Sequence, residues 1–227
     1  MSLPKEPRQK MINMMYLVLT AMLALQVSNA ILEKFQLLNN SLEQANSSAA
    51  KTNERTLGAM SEAVEKSGNK PEYVKLLKLA GDVRKQSDEI NAYINDLKQQ
   101  IINDAGGGID PETGGIKNLA EEEKVASLMV GPNKQGKGYE LRDKLNAYIN
   151  FLKPLAAKNT EIPSLALDAK DDPAMVNTDA TTKSKDFAEL NFSQTPVPAA
   201  LASLSQKQAE IDFLLKSVDS TTKTKYP

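Results

Sequence analysis

The residues able to do chemistry at the start of this chain are cations facing an acid-free stretch. Lys5, Arg8 and Lys10 precede residues 11–32, which contain no Asp, Glu, Lys, Arg or His. Arg8 is the most constrained of the three, because a guanidinium does not lose its proton and holds a carboxylate through two parallel hydrogen bonds. Pro7 suits the first turn of a helix, where its missing N–H costs nothing. Arg8 and Lys10 then fall in the turn where the helix dipole disfavours positive charge, within about 5 Å of rise of the apolar run. Two roles fit such a cation: an anchor solvated by lipid headgroups, or an ion pair with an acidic residue of another membrane protein.

Farther along, Asn13, Tyr16 and Thr20 lie within about 60° of one another on a helical wheel and form a polar streak. Polar side chains inside a membrane span favour protein or water over lipid, although a Tyr near the interface also serves as an ordinary anchor. Thr20, Ala24 and Ser28 form a series of small residues four apart, widened by Ala21, which lets a neighbouring helix backbone come close.

The other candidate sites are weaker. Glu121, Glu122 and Glu123 could suggest paired carboxylates, but acids at the start of a helix complement its dipole, and no apolar setting surrounds them to raise a pKa. Gly131 to Gly138, reading GPNKQGKG, superficially fits G-x-x-x-x-G-K. It lacks the closing Ser or Thr for magnesium, contains Pro132 and follows a helix instead of a strand. The chain has no His and no Cys, so the usual general base, the commonest metal ligands and any disulfide framework are missing. An enzyme is therefore the weakest class, and no cofactor or metal site is expected.

These residues need a helix to position them. At about 1.5 Å per residue, 11–32 makes a helix of roughly 33 Å, enough for a ~30 Å hydrocarbon core. Lys5, Arg8 and Lys10 against Glu6 make the arm, residues 1–10, basic, so its amino end is expected in the cytoplasm. The whole chain has a net charge of −1, so everything beyond the arm is net acidic and offers no basic face for nucleic acid. A cleaved signal peptide ending at Ser28-Asn29-Ala30 is the rival reading. Against it, Met14, Leu17, Ala21, Ala24, Ser28, Ile31, Phe35, Leu38, Leu42, Ala45 and Ala49 keep one three-four alternation through that site.

Residues 33–227 read as one helical-bundle domain. The first helix should persist to about Lys66 and stop at Gly68, with Asn69 capping a second helix that begins at Pro71. Leu76, Ala80, Val83, Ser87, Ile90, Ile94, Leu97 and Ile101 mark the apolar face of that second helix, which Gly106-Gly107-Gly108 closes. Further helices are expected over Asn118 to Met129, Tyr139 to Ala157 with a kink at Pro154, and Pro196 to about Ser220. Between them, Lys158 to Thr195 reads as a long segment with a short helix near Asp186 to Leu190, pinned by Phe187 and Phe192. The fold class is therefore all-α: a single N-terminal transmembrane helix continuing into an up-down bundle.

Two strings carry a resemblance. PRQKMINMMYLVLTAMLAL at Pro7 to Leu25 resembles the start of the GldM family, also called PorM, of the gliding-motility and type IX secretion machinery. FSQTPVPAALASLSQKQAEIDFLL at Phe192 to Leu215 is similar to the end of that family's first periplasmic domain, with weaker support across Gly106 to Ser184. The resemblance implies an inner-membrane, single-span subunit that dimerises, its two spans inside a ring of five GldL subunits, driven by the proton-motive force. It also implies a bulk that faces the periplasm and continues into further domains, in keeping with a polar TTKTKYP ending that reads as a linker cut short. In the family, an Arg of this motif faces the acidic GldL residue that handles the proton; here that position is Arg8, with Asn13 and Tyr16 in the same motif. Residues 11–32 independently require that any proton site come from another chain. Two other classes stay open: a passive, membrane-anchored periplasmic scaffold, and a bitopic sensor, which would need an output domain that ten cytoplasmic residues do not provide.

Overall fold

A computed structural model describes residues 7–155 and 162–223; for residues 7–8, 22–29 and 218–223 it describes only the backbone. Helix α1 (Pro7–Lys66) is a single helix, with no proline after its first residue. It ends because Gly68 and Asn69 take left-handed backbone conformations, φ 75° and 56°, and return their N–H groups to the carbonyls of Glu65 and Val64. Asn69 thus closes α1 and does not cap the next helix as expected. Lys70 stands at that N-cap without a side-chain bond, and Pro71 opens α2 (Pro71–Gln100).

All of the expected face of α2 is buried except Leu76, which is partly covered. The helix widens over Ile101–Ala105 into a π turn, with the Gly106 N–H reaching back to the Ile101 carbonyl. Gly106 is required there: a Cβ would stand 2.6 Å from Ile116 and 2.7 Å from the Ile102 carbonyl oxygen. The short helix expected from Asn118 is α3 (Glu123–Met129) and starts later, because the Glu121 carboxylate accepts the Lys124 N–H and holds the preceding residues in a turn. The α3–α4 connection folds back so tightly that a Cβ on Gly136 would stand 2.4 Å from the Met129 carbonyl. Helix α4 (Lys137–Leu152) passes into a 3-10 turn, Lys153–Leu155, at Pro154; its expected end at Ala157 lies outside the described residues.

The segment from residue 162 is more ordered by capping than its composition suggests. Asp172 caps a 3-10 turn, Pro173–Met175; Asp179 caps α5 (Ala180–Lys183); and Asp186 makes a reciprocal capping box with Glu189 on α6 (Phe187–Phe192). Phe187 and Phe192 are fully buried, as expected, in a core with Ile94, Leu97, Met129, Leu141, Leu145, Tyr148 and Leu204. Helix α7 (Val197–Lys223) ends the described chain.

The architecture is all-helical. Among the described residues, β pairing is limited to an isolated bridge between Ile109 and Ile116. Helices α1, α2 and α7 form the long bundle; α4 packs on α2, α3 packs on the π turn that follows α2, and α6 joins α3 and α4 to α7. Asn39 and Asn46 of α1 meet Ser205 of α7, while Asn91 and Asn95 of α2 meet Asp212 and Gln208. The last two pairings run α7 antiparallel to α2, the short turn after Lys66 together with the Lys98–Glu43 contact runs α2 antiparallel to α1, and α7 is therefore parallel to α1. Among the described residues, no helix is long and apolar enough to cross a membrane. The expected span, 11–32, includes positions 22–29, whose side chains lie outside the described residues.

Candidate functional site

The first part of α1 projects beyond the bundle. Every described side chain from residue 9 to residue 21 is exposed, including Met14 at 69% and Tyr16 at 68%. Met11, Ile12, Met14, Met15, Leu17, Val18 and Leu19 cover more than half of the helix circumference, and Asn13, Tyr16 and Thr20 take the remaining side, so this projecting segment carries a broad exposed apolar face of the kind that marks a lipid or protein contact. Asn13, Tyr16 and Thr20 are all exposed, and the Thr20 hydroxyl donates to the Tyr16 carbonyl at 2.7 Å. The streak therefore presents the Asn13 amide and the Tyr16 phenol outward, with Thr20 bonded to its own helix. Ala21 is exposed. The side chains of Arg8, Ala24 and Ser28 lie outside the described residues.

Below the arm, α1 has two seams one residue apart. Ile31, Phe35, Leu38 and Ala45 of the expected apolar seam stay exposed on the single chain, and Leu42 and Ala49 are partly covered. The side turned into the bundle is Leu32, Asn39, Asn46, Asn53 and Met60, a seven-residue repeat with asparagine at three successive steps. Ser205 sits between two of them: its hydroxyl donates to the Asn39 side-chain oxygen at 2.7 Å, and its backbone carbonyl accepts from the Asn46 side-chain amide at 2.8 Å.

Lys98 completes this polar seam. Its ammonium, almost fully buried, donates to Gln208 of α7 at 2.6 Å and to Glu43 of α1 at 3.4 Å. Gln208 passes the interaction on, donating to the Asn95 side chain at 3.0 Å. Burial lowers the Lys98 pKa, and the half-exposed Glu43 carboxylate offsets part of that effect. A groove of about 610 Å³ opens along these residues, between α1, α2 and α7. The asparagine repeat at 39, 46 and 53 was a readable signal in the sequence for this seam, but apolar periodicity alone passes over it.

The two weaker motifs are structural. In the glycine-lysine loop, Lys134 pairs with Asp186 at 2.9 Å and Glu189 at 3.0 Å, and Lys137 donates to Gln100 at 2.6 Å. Both ammonium groups are thus engaged by the protein, in a loop running from helix to helix. Glu121 caps the turn before α3, while Glu122 and Glu123 are exposed.

The family model for the GldM N-terminal domain matches residues 30–218, spanning the whole polar seam and both partners of every bond in it. Among curated proteins, none matches the chain.

Proposed function

The chain belongs to the GldM family of the gliding-motility and type IX secretion machinery, and from that premise we propose that it is a non-enzymatic subunit of a proton-driven inner-membrane motor. In this reading residues 1–10 are a cytoplasmic arm, 11–32 cross the membrane once, and 33–227 stand in the periplasm. Two copies associate through the small face Ala21, Ala24 and Ser28, continued by the exposed Ile31, Phe35 and Leu38. A ring of five GldL-like multi-span subunits surrounds them and supplies the acidic proton site. Further periplasmic components receive the motion.

The observation that carries this reading is the continuity of α1. One unbroken helix leads from an exposed, largely apolar projecting segment, residues 9–21, into a seam that grips α2 and α7 by hydrogen bonds. Rotation or tilt of the arm reaches the bundle with little slack, since neither a proline kink nor a loop intervenes. The parallel α7 then carries it away from the membrane end.

Arg8 in this scheme is a fixed counter-charge. It favours the ionised form of the partner carboxylate, and protonation of that carboxylate releases the pair and frees the helix to move. Asn13 and Tyr16 supply neighbouring polar contacts. The test is Arg8→Ala in cells: secretion and gliding stop, while expression, dimerisation and co-purification with the multi-span partner persist. Normal secretion in that variant would end the counter-charge role and favour a passive scaffold.

A further inference from the structure

Asp212 of α7 is only 6% exposed, yet it faces the α2 seam with one weak partner. The Asn91 side-chain amide donates to it at 3.5 Å, the outer limit for such a bond. The Asn91 side-chain oxygen is itself buried and lacks a hydrogen-bond partner among the described residues. An ionised carboxylate only accepts, so it cannot satisfy that oxygen; a protonated carboxyl can. A carboxylic acid and a primary amide side by side close a ring of two hydrogen bonds, acid O–H to amide oxygen and amide N–H to acid carbonyl.

We propose that Asp212 and Asn91 form a proton-operated latch between α7 and α2, closed as an acid–amide pair and loosened when Asp212 ionises. The surrounding charges come from both packed helices. From α2, Asp88 opposes ionisation and Arg84 favours it, and Lys98 lies farther along the same groove; from α1, Glu43 lines the opposite wall. Among the described residues no cation forms an ion pair with Asp212, and a buried carboxylate left without one is costly. The groove gives solvent protons a path to the pair. Burial pushes the Asp212 carboxyl up from 3.8 to about 6. The closed seam therefore binds the proton more tightly than the open one. Its advantage is full below about pH 4, is lost as pH rises toward 6, and stays lost above. This inference stands on the seam itself and does not depend on the motor reading.

Hydrogen exchange of the full chain in detergent, followed by mass spectrometry over the peptides around Asn91 and Asp212, tests it. After correction for intrinsic exchange, opening of this seam should be greater at about pH 7.5 than at about pH 4.5, by roughly twenty-five-fold, the part of the shift from 3.8 to about 6 that titrates between those two values. Asp212→Asn keeps a neutral group able to form the same ring, and should remove that dependence while holding the seam protected at both pH values. An equal pH dependence in wild type and Asp212→Asn overturns the latch. Direct titration of the Asp212 carboxyl by isotope-edited spectroscopy needs no variant: a midpoint near 6 supports the latch, and a midpoint near the ordinary 3.8 overturns it.

Discussion

The Lys98 ammonium lies 2.6 Å from the Gln208 side-chain oxygen, at the place where α1, α2 and α7 converge. A buried cation at a three-helix junction is a poor source of stability, because removing it from water costs several kcal/mol and its pairing returns about as much. What it does supply is discrimination, since each other rotation of α1 or α7 about its axis leaves that charge unpaired. The junction thereby fixes how α1 and α7 face each other across α2.

Lys98→Met should therefore destabilise by only about 1 kcal/mol, because removing the buried charge offsets most of what the Gln208 side-chain oxygen loses with its donor, and the half-exposed Glu43 is free to take solvent as its partner. Gln208→Leu should cost more, about 2–3 kcal/mol, because it leaves the Lys98 ammonium buried with only the 3.4 Å contact to Glu43. Denaturant midpoints with unchanged slopes measure both. A loss from Lys98→Met equal to that from Gln208→Leu would show that the seam acts through stability.

The asparagine repeat allows a sharper contrast. Asn46 donates to the Ser205 carbonyl, whereas the Asn53 amide nitrogen, seven residues on and also buried, has no partner among the described residues. Leaving a buried donor unmade costs about 1–3 kcal/mol. Asn53→Leu should accordingly stabilise the chain by about 1 kcal/mol, while Asn46→Leu should destabilise it by a similar amount. Thermal or chemical unfolding of the two variants side by side decides this, and a loss in both would refute the distinction.

How legible this was in the sequence differs by element. Apolar spacing located α2 and α7 and placed Phe187 and Phe192 in the core, because burial of large apolar groups dominates those contacts. The seam of α1 was misweighted for the same reason: Phe35 and Leu38 outrank Asn39 and Asn46 on any apolar scale, yet the single chain turns the asparagines inward. Their satisfaction depends on Ser205, far away in sequence, which periodicity within one helix does not register. Asn69 failed as a cap because the same side chain that suits an N-cap also tolerates a left-handed backbone, and the α1 terminus claimed it first. Of the expected site, Asn13, Tyr16, Thr20 and Ala21 fall on the projecting arm, where their partners would belong to other molecules.

Asp186 offers the last test, on the opposite flank of the bundle. Its carboxylate accepts the Glu189 N–H at 3.0 Å as the cap of α6, and also receives the Lys134 ammonium at 2.9 Å and the Tyr139 hydroxyl at 2.9 Å. Burial by itself pushes this carboxyl up, but the Glu189 N–H, Lys134 and Tyr139 together bring it below the usual carboxylate range. A depressed folded pKa means that its contribution is complete above the ordinary value of 3.8 and is lost as pH falls through the lower folded value. Asp186→Ala removes the cap and the anchor of the glycine-lysine loop, which should cost about 1–2 kcal/mol at neutral pH. The variant's deficit should shrink as pH falls below the ordinary 3.8 and through the lower folded value, where the wild-type carboxyl also becomes protonated. Urea unfolding of wild type and variant between pH 2 and pH 7 measures this convergence. A deficit that stays constant over the whole range would mean that Asp186 acts through packing and not through its charge.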